Sequence, residues 1–125
     1  MPTDIVLSLN RGLMRPLVAL MNSIVSNSSD VPALRFNIAV PPDPAEVEAF
    51  ETLIDRSFPD RTFAVRVAGA TLSDPIRHYV EGRLEAPLDP ASGKALNYAR
   101  FEIRNLFPDL EAFVYLDGDI VVLQD

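Results

Sequence analysis

Apolar positions along the chain change their spacing several times, and each change marks an element. Asp4 to Leu9 is a short, β-branched apolar run that ends in the turn-forming Asn10-Arg11-Gly12, which predicts a strand leaving a sheet. Leu13, Leu17, Leu20, Met21 and Ile24, with Met14, Val18 and Val25 beside them, then repeat at helical spacing, and Pro16 falls early enough for a first turn to accept it. Leu34 to Val40 reads as the second strand. Asp43-Pro44-Ala45-Glu46 opens a second helix: Asp43 can cap, Pro44 suits the first position, and Glu46 can return a hydrogen bond to the cap. Val47, Phe50, Leu53 and Ile54 form its apolar face. Thr62 to Val67 alternates as a third strand, and strands separated in this way by helices predict a parallel sheet.

Ser73-Asp74-Pro75 repeats the cap-and-proline signal before a short helix through about Leu84, and Pro87, Pro90 and Gly93 mark the loop that follows. From Ala95 to Phe107 the pattern is helical again. Leu96, Ala99, Ile103 and Leu106 line one face and Asn97, Arg100 and Arg104 another, until Pro108 stops the helix. Ala112 to Leu116 reads as a buried strand that delivers the chain to Asp117, after which Ile120-Val121-Val122 resumes the apolar run. With no repeat and no low-complexity stretch, residues 1–125 read as a single domain.

Composition narrows the partners. The 125 residues are 48% hydrophobic, enough for a real core, and 18 acidic against 11 basic residues leave a net charge of −7. Such a charge repels nucleic acid and anionic membrane surfaces, although a bound cation or one arginine can still reverse the field inside a cleft. The absence of cysteine excludes disulfides, thiolate zinc sites and cysteine nucleophiles. No apolar run approaches the roughly 18 residues of a transmembrane segment, and Asp4 stands where a signal peptide has basic residues. Asn27-Ser28-Ser29 fits a glycosylation acceptor, a tripeptide common by chance.

The candidate chemistry lies at Asp117-Gly118-Asp119. In an extended segment Asp117 and Asp119 project the same way, with no side chain on Gly118 to block a ligand. Two carboxylates this close call for a cation or a proton, and their hard oxygens suit magnesium or manganese. The carboxyl end of a strand is also where open parallel sheets bind ligands. Three other readings compete on the residues alone. Asp-Gly-Asp makes a plain turn. A buried strand followed by Asp-x-Asp-x-Val also resembles the first motif of haloacid-dehalogenase-type phosphatases, although that motif opens its domain. A glycoside hydrolase pair would have to flank the scissile bond instead of sharing one edge. For Arg100 and Asn97 the alternative is a solvated helix face shared with Arg104, and His78, between Arg77 and Tyr79, reads as a surface histidine.

Leu96-Asn97-Tyr98-Ala99-Arg100-Phe101, Leu106-Phe107-Pro108-Asp109 and Val114-Tyr115-Leu116-Asp117-Gly118-Asp119-Ile120-Val121-Val122 occur in this order and close together. The succession resembles glycosyltransferase family 8, and the likeness extends upstream to Asp4-Ile5-Val6-Leu7, Met21-Asn22-Ser23-Ile24 and Leu34-Arg35-Phe36-Asn37-Ile38. The Leu-Asn-Tyr-Ala-Arg wording is similar to the galacturonosyltransferase-like branch. The resemblance implies an α/β, Rossmann-like GT-A fold, a mostly parallel sheet flanked by helices, and retaining transfer of a hexose or hexuronic acid from a UDP-sugar to a glycan or other acceptor.

It further implies manganese, or magnesium, on Asp117 and Asp119, with Arg100 beside the donor and Asn97, Ser8, Leu9, Asn10 and Gly118 around it. Members commonly carry an acidic residue at the exit of the first strand, where this chain has Ser8-Leu9-Asn10-Arg11-Gly12; Asn10 can still hydrogen-bond a ribose or base. Family members continue past the metal motif into an acceptor-binding part. The chain is therefore expected to be the donor-binding part, inactive alone, with a non-catalytic nucleotide-sugar-binding remnant as the alternative. The compartment stays open: the Golgi for a eukaryotic member with an anchor elsewhere, the cytoplasm for a bacterial one.

Overall fold

Alternation and helical spacing translate directly into the architecture. The computed structural model describes residues 2–87, 89, 96 and 98–116. Its elements are β1 (Thr3–Ser8), α1 (Met14–Ser26), β2 (Leu34–Val40), α2 (Pro44–Ser57), β3 (Ala64–Gly69), α3 (Asp74–Leu84), a 3-10 turn at Ala99–Glu102 running into α4 (Ile103–Leu106), and β4 (Val114–Tyr115). The sheet order is β3-β2-β1-β4, and every pairing is parallel. The chain builds outward from β1 through β2 to β3, then crosses back to place β4 on the other side of β1. Strand order therefore reverses between β1 and β4.

Registry assigns the faces. Thr3 pairs with Leu34 and Arg35 with Ala64, so Ile5 and Leu7 share a face with Phe36, Ile38 and Val40. That face meets Leu17, Leu20, Met21 and Ile24 of α1 and Phe50 and Ile54 of α2 in one core. Removing side chains of this size from water contributes about 1.5–3 kcal/mol each. On the opposite face Val6 packs on Ile103 and Phe107, and Ala39 and Ala70 pack on Leu96 and Ala99. Helical segments thus cover both faces, as a parallel sheet requires.

At the amino ends of the strands the second face is polar. Arg35 donates to both carboxylate oxygens of Asp4, at 2.7 and 2.8 Å, and Asn37 donates to Asp4 at 3.2 Å. Arg66 continues the ladder by donating to Asn37 Oδ1, pairs with Asp109 at 2.8 Å and lies over the Phe107 ring. Asp4 is 7% exposed, and its Arg35 hydrogen bonds hold its carboxyl below the ordinary range against the opposing pull of burial.

Several local expectations are corrected. Asp43 does cap α2, accepting from the Ala45 N–H at 2.9 Å, but Glu46 does not return a bond. The Asp43 N–H already donates to Pro41 O, and Arg11 draws the Glu46 carboxylate outward. Ser73 caps α3 without its side chain. The third strand begins at Ala64, two residues later than its alternation suggests, because Phe63 turns in edge-on against Phe36 and Phe58. The final strand is not buried: β4 pairs only with β1 among the described residues and leaves Phe113 38% and Val114 50% exposed. The helix expected over 95–107 is broken at Ala99–Glu102, for a reason taken up below.

Gly69 ends β3 where the chain after β2 passes close by. A Cβ there would stand 2.9 Å from Pro42 Cα, a backbone contact between segments that prolines stiffen. Gly69→Ala is expected to destabilise the fold by about 1–3 kcal/mol, read from urea unfolding. An unchanged midpoint would show that the Pro41-Pro42 turn yields freely.

Candidate functional site

Open parallel sheets have their ligand crevice where strand order reverses, here between β1 and β4, and the described residues singled out in the sequence flank that point, Ser8 to Asn10 at the exit of β1 and Arg100 against Tyr115 of β4. On one side is the exit of β1. The Ser8 hydroxyl donates to Leu96 O at 2.6 Å, which fastens this exit to the segment leading to Arg100. Leu9 is fully buried in the core and its N–H donates to Ala39 O. Asn10 turns the chain: its Oδ1 accepts from the Gly12 N–H at 3.1 Å and its backbone carbonyl accepts from Leu13. The Asn10 side-chain NH2 has no partner among the described residues. Arg11 braces the turn against α2, its Nε 2.8 Å from each Glu46 oxygen.

On the other side is Arg100, exposed on the 3-10 turn, with its guanidinium carbon 5.1 Å from the centre of the Tyr115 ring. Tyr115 pairs with Val6, and the Leu116 N–H donates to Val6 O at 3.1 Å. The backbone therefore still runs alongside β1 one residue before Asp117. Asn97, Asp117, Gly118 and Asp119 lie outside the described residues. Among the described residues no group of three or more His, Cys, Asp or Glu side chains could hold a metal. By residue type Asp117 and Asp119 are hard oxygen donors, a set that suits magnesium or manganese. His78 is exposed on α3, as a surface histidine.

Glu102 was not singled out by the sequence reading. It is 4% exposed, accepts from the Ser73 N–H at 2.9 Å and from Asn105 Nδ2 at 2.7 Å, and ends the turn that carries Arg100. Burial pushes its carboxyl up, but the hydrogen bonds from Ser73 and Asn105 outweigh that and hold it below its ordinary value. The available signal was its position: three residues after Ala99 and four before Leu106, it interrupts an apolar stripe. With Gly69, Ala70, Thr71, Asn105 and Leu106 it walls a cleft of about 160 Å³, room for a few waters and too small for a nucleotide.

A parallel sheet covered on both faces, with its order reversing at β1, is a Rossmann-like α/β arrangement, consistent with a GT-A glycosyltransferase domain. The sequence matches glycosyl transferase family 8 over residues 4–125, and the chain belongs to that family. Glycosyltransferase function in the general sense goes with that membership, and the phosphatase alternative finds no support. No curated protein and no solved structure matches the chain. Among the described residues no helix is long and apolar enough to cross a membrane.

Proposed function

We propose that this domain binds a UDP-sugar in the crevice between β1 and β4, through manganese or magnesium held by Asp117 and Asp119, for retaining transfer of a hexose or hexuronic acid to a glycan or other acceptor. The observation that carries the reading is Arg100 stacked on Tyr115, two residues before Asp117, on the strand that pairs with β1. A permanently charged guanidinium, and a carboxylate pair that begins two residues past Tyr115 in the sequence, suit a nucleotide diphosphate with its metal, and parallel sheets bind nucleotides at the carboxyl ends of their strands.

The chain's own groups divide the work. The Asn10 NH2 and the Ser8-Leu9-Asn10 backbone meet the nucleoside, while Arg100, helped by Asn97, orients diphosphate or sugar oxygens in its planar fork. Gly118 leaves space for the donor to approach. The metal, when bound, neutralises charge growing on the departing diphosphate. The wording from Leu96 to Arg100 favours the galacturonosyltransferase-like branch, and the proposed domain is the donor-binding part of the enzyme.

Titration calorimetry with UDP tests the site. Binding is expected only with manganese or magnesium present, and Asp119→Asn is expected to weaken it at least about tenfold, since one of the two charged ligands is lost. Equal affinity in Asp119→Asn, or binding indifferent to the metal, overturns the assignment.

A further inference from the structure

Glu102 stands where the sequence pattern calls for an apolar residue. A leucine there would continue the stripe of Leu96, Ala99, Ile103 and Leu106, and a buried carboxylate is a costly way to fill the same space. Its partners explain what it does instead. One oxygen takes the Ser73 N–H from the start of α3 and the other takes Asn105, while the backbone of Glu102, at φ −106° and ψ 6°, leaves the helical region. Ala99–Glu102 is accordingly wound as a 3-10 turn between helical neighbours. Winding matters for direction: a 3-10 turn advances about 120° per residue against about 100° in an α-helix, so four residues accumulate roughly 80° of difference. Arg100 sits inside those four residues.

We propose that Glu102 is a positioning residue for the donor site, a latch that holds the Ala99–Glu102 turn out of the continuous helix its sequence favours and so aims Arg100 across Tyr115 toward the donor. The turn is fastened at both ends, by Glu102 to Ser73 and by Arg100 to the Tyr115 ring at 5.1 Å. Release of the first fastening lets the segment rewind and swings the guanidinium off the ring. The donor half of the proposal rests on the reading of Arg100 given above; the latch itself does not.

Two readouts on the same variants keep the halves apart. In the NMR spectrum the Arg100 side-chain resonances are expected to carry the ring-current shift of Tyr115, whose ring centre lies 5.1 Å from the guanidinium carbon. Glu102→Leu is expected to abolish that shift, and Glu102→Gln, which keeps an acceptor for Ser73 and lets the Asn105 amide turn over to match, is expected to restore it. Should Glu102→Leu not fold, Ser73→Pro removes the same N–H at a φ of −62° that suits proline, and is expected to abolish the shift in its place. Persistence of the shift in Glu102→Leu, or in Ser73→Pro where that variant is the folded one, overturns the latch.

In the second readout, manganese-dependent UDP-sugar affinity should fall about tenfold in Glu102→Leu, and no further in the double variant with Arg100→Ala. Effects that simply add overturn the positioning role. If the unsubstituted protein binds no UDP-sugar with manganese, the donor reading and the positioning role fall together, and the ring-current result still decides the latch.

Discussion

Arg35→Met is expected to destabilise the domain by about 3 kcal/mol at neutral pH, a fall in melting temperature of about 10 °C. Asp4 is 7% exposed and depends on Arg35 for both of its carboxylate hydrogen bonds to a cation. Removing the guanidinium leaves a buried charge with Asn37 as its remaining side-chain partner. The lower end of the usual penalty applies because the Arg35 side chain is 37% exposed, so water can reach the vacated position.

The pH dependence gives the prediction a second edge. In the unsubstituted chain Asp4 has a lowered carboxyl pKa, so its contribution is complete above the unfolded value near 3.8 and is lost as pH falls through the depressed folded value. Without Arg35 the largest lowering influence is gone while burial still raises the folded pKa against the remaining pull of Asn37 and Arg66, so protonation costs the folded state less and the deficit of Arg35→Met shrinks as pH falls. Asp4→Leu combined with Arg35→Met should recover most of the lost stability, because neither charge is left unpaired. Urea unfolding at pH 7 and at lower pH, with no deficit in Arg35→Met at pH 7 or with a deficit that grows on acidification, would remove this account of the ladder.

That ladder also shows which parts of the structure can be read from residue order. β1, α1, β2 and α2 were legible because each buries one side, and burial imposes a period of two or of 3.6 on the apolar residues. The Asp4-Arg35-Asn37-Arg66-Asp109 chain was not, since it exists only once three strands are in register. Asp4 looked like an acidic residue preceding an apolar run, when its partner stood 31 positions away.

The winding of Ala99–Glu102 has the same origin. Local pattern favours a helix, and a bond from Ser73, 29 positions earlier, overrides it. At the site the roles proposed for Asp117, Asp119 and Arg100 come from residue type and family wording. The contact of Arg100 with Tyr115 was not legible there, because it depends on β4 crossing back to β1.

In an enzyme that joins this donor-binding domain to an acceptor-binding part, Arg100→Ala is expected to lower kcat/KM for UDP-sugar turnover by about 10²–10³-fold, the usual consequence of removing one preorganised charge that meets a leaving group. The place of Arg100 over the Tyr115 ring, one of more than one interaction that it makes, contributes about 0.5–1 kcal/mol to folding. The contrast between the two numbers separates a ligand-facing arginine from a packing one. Arg100→Lys sharpens it further. Lysine keeps the charge and can still approach the Tyr115 ring, so stability should return, but a point charge cannot reproduce a planar fork, so most of the activity loss should remain. Turnover is measured as UDP release with manganese and acceptor present, alongside a thermal melt of each variant. A lysine variant as active as the original would reduce the role of Arg100 to charge alone, and an active alanine variant would remove it from the donor site.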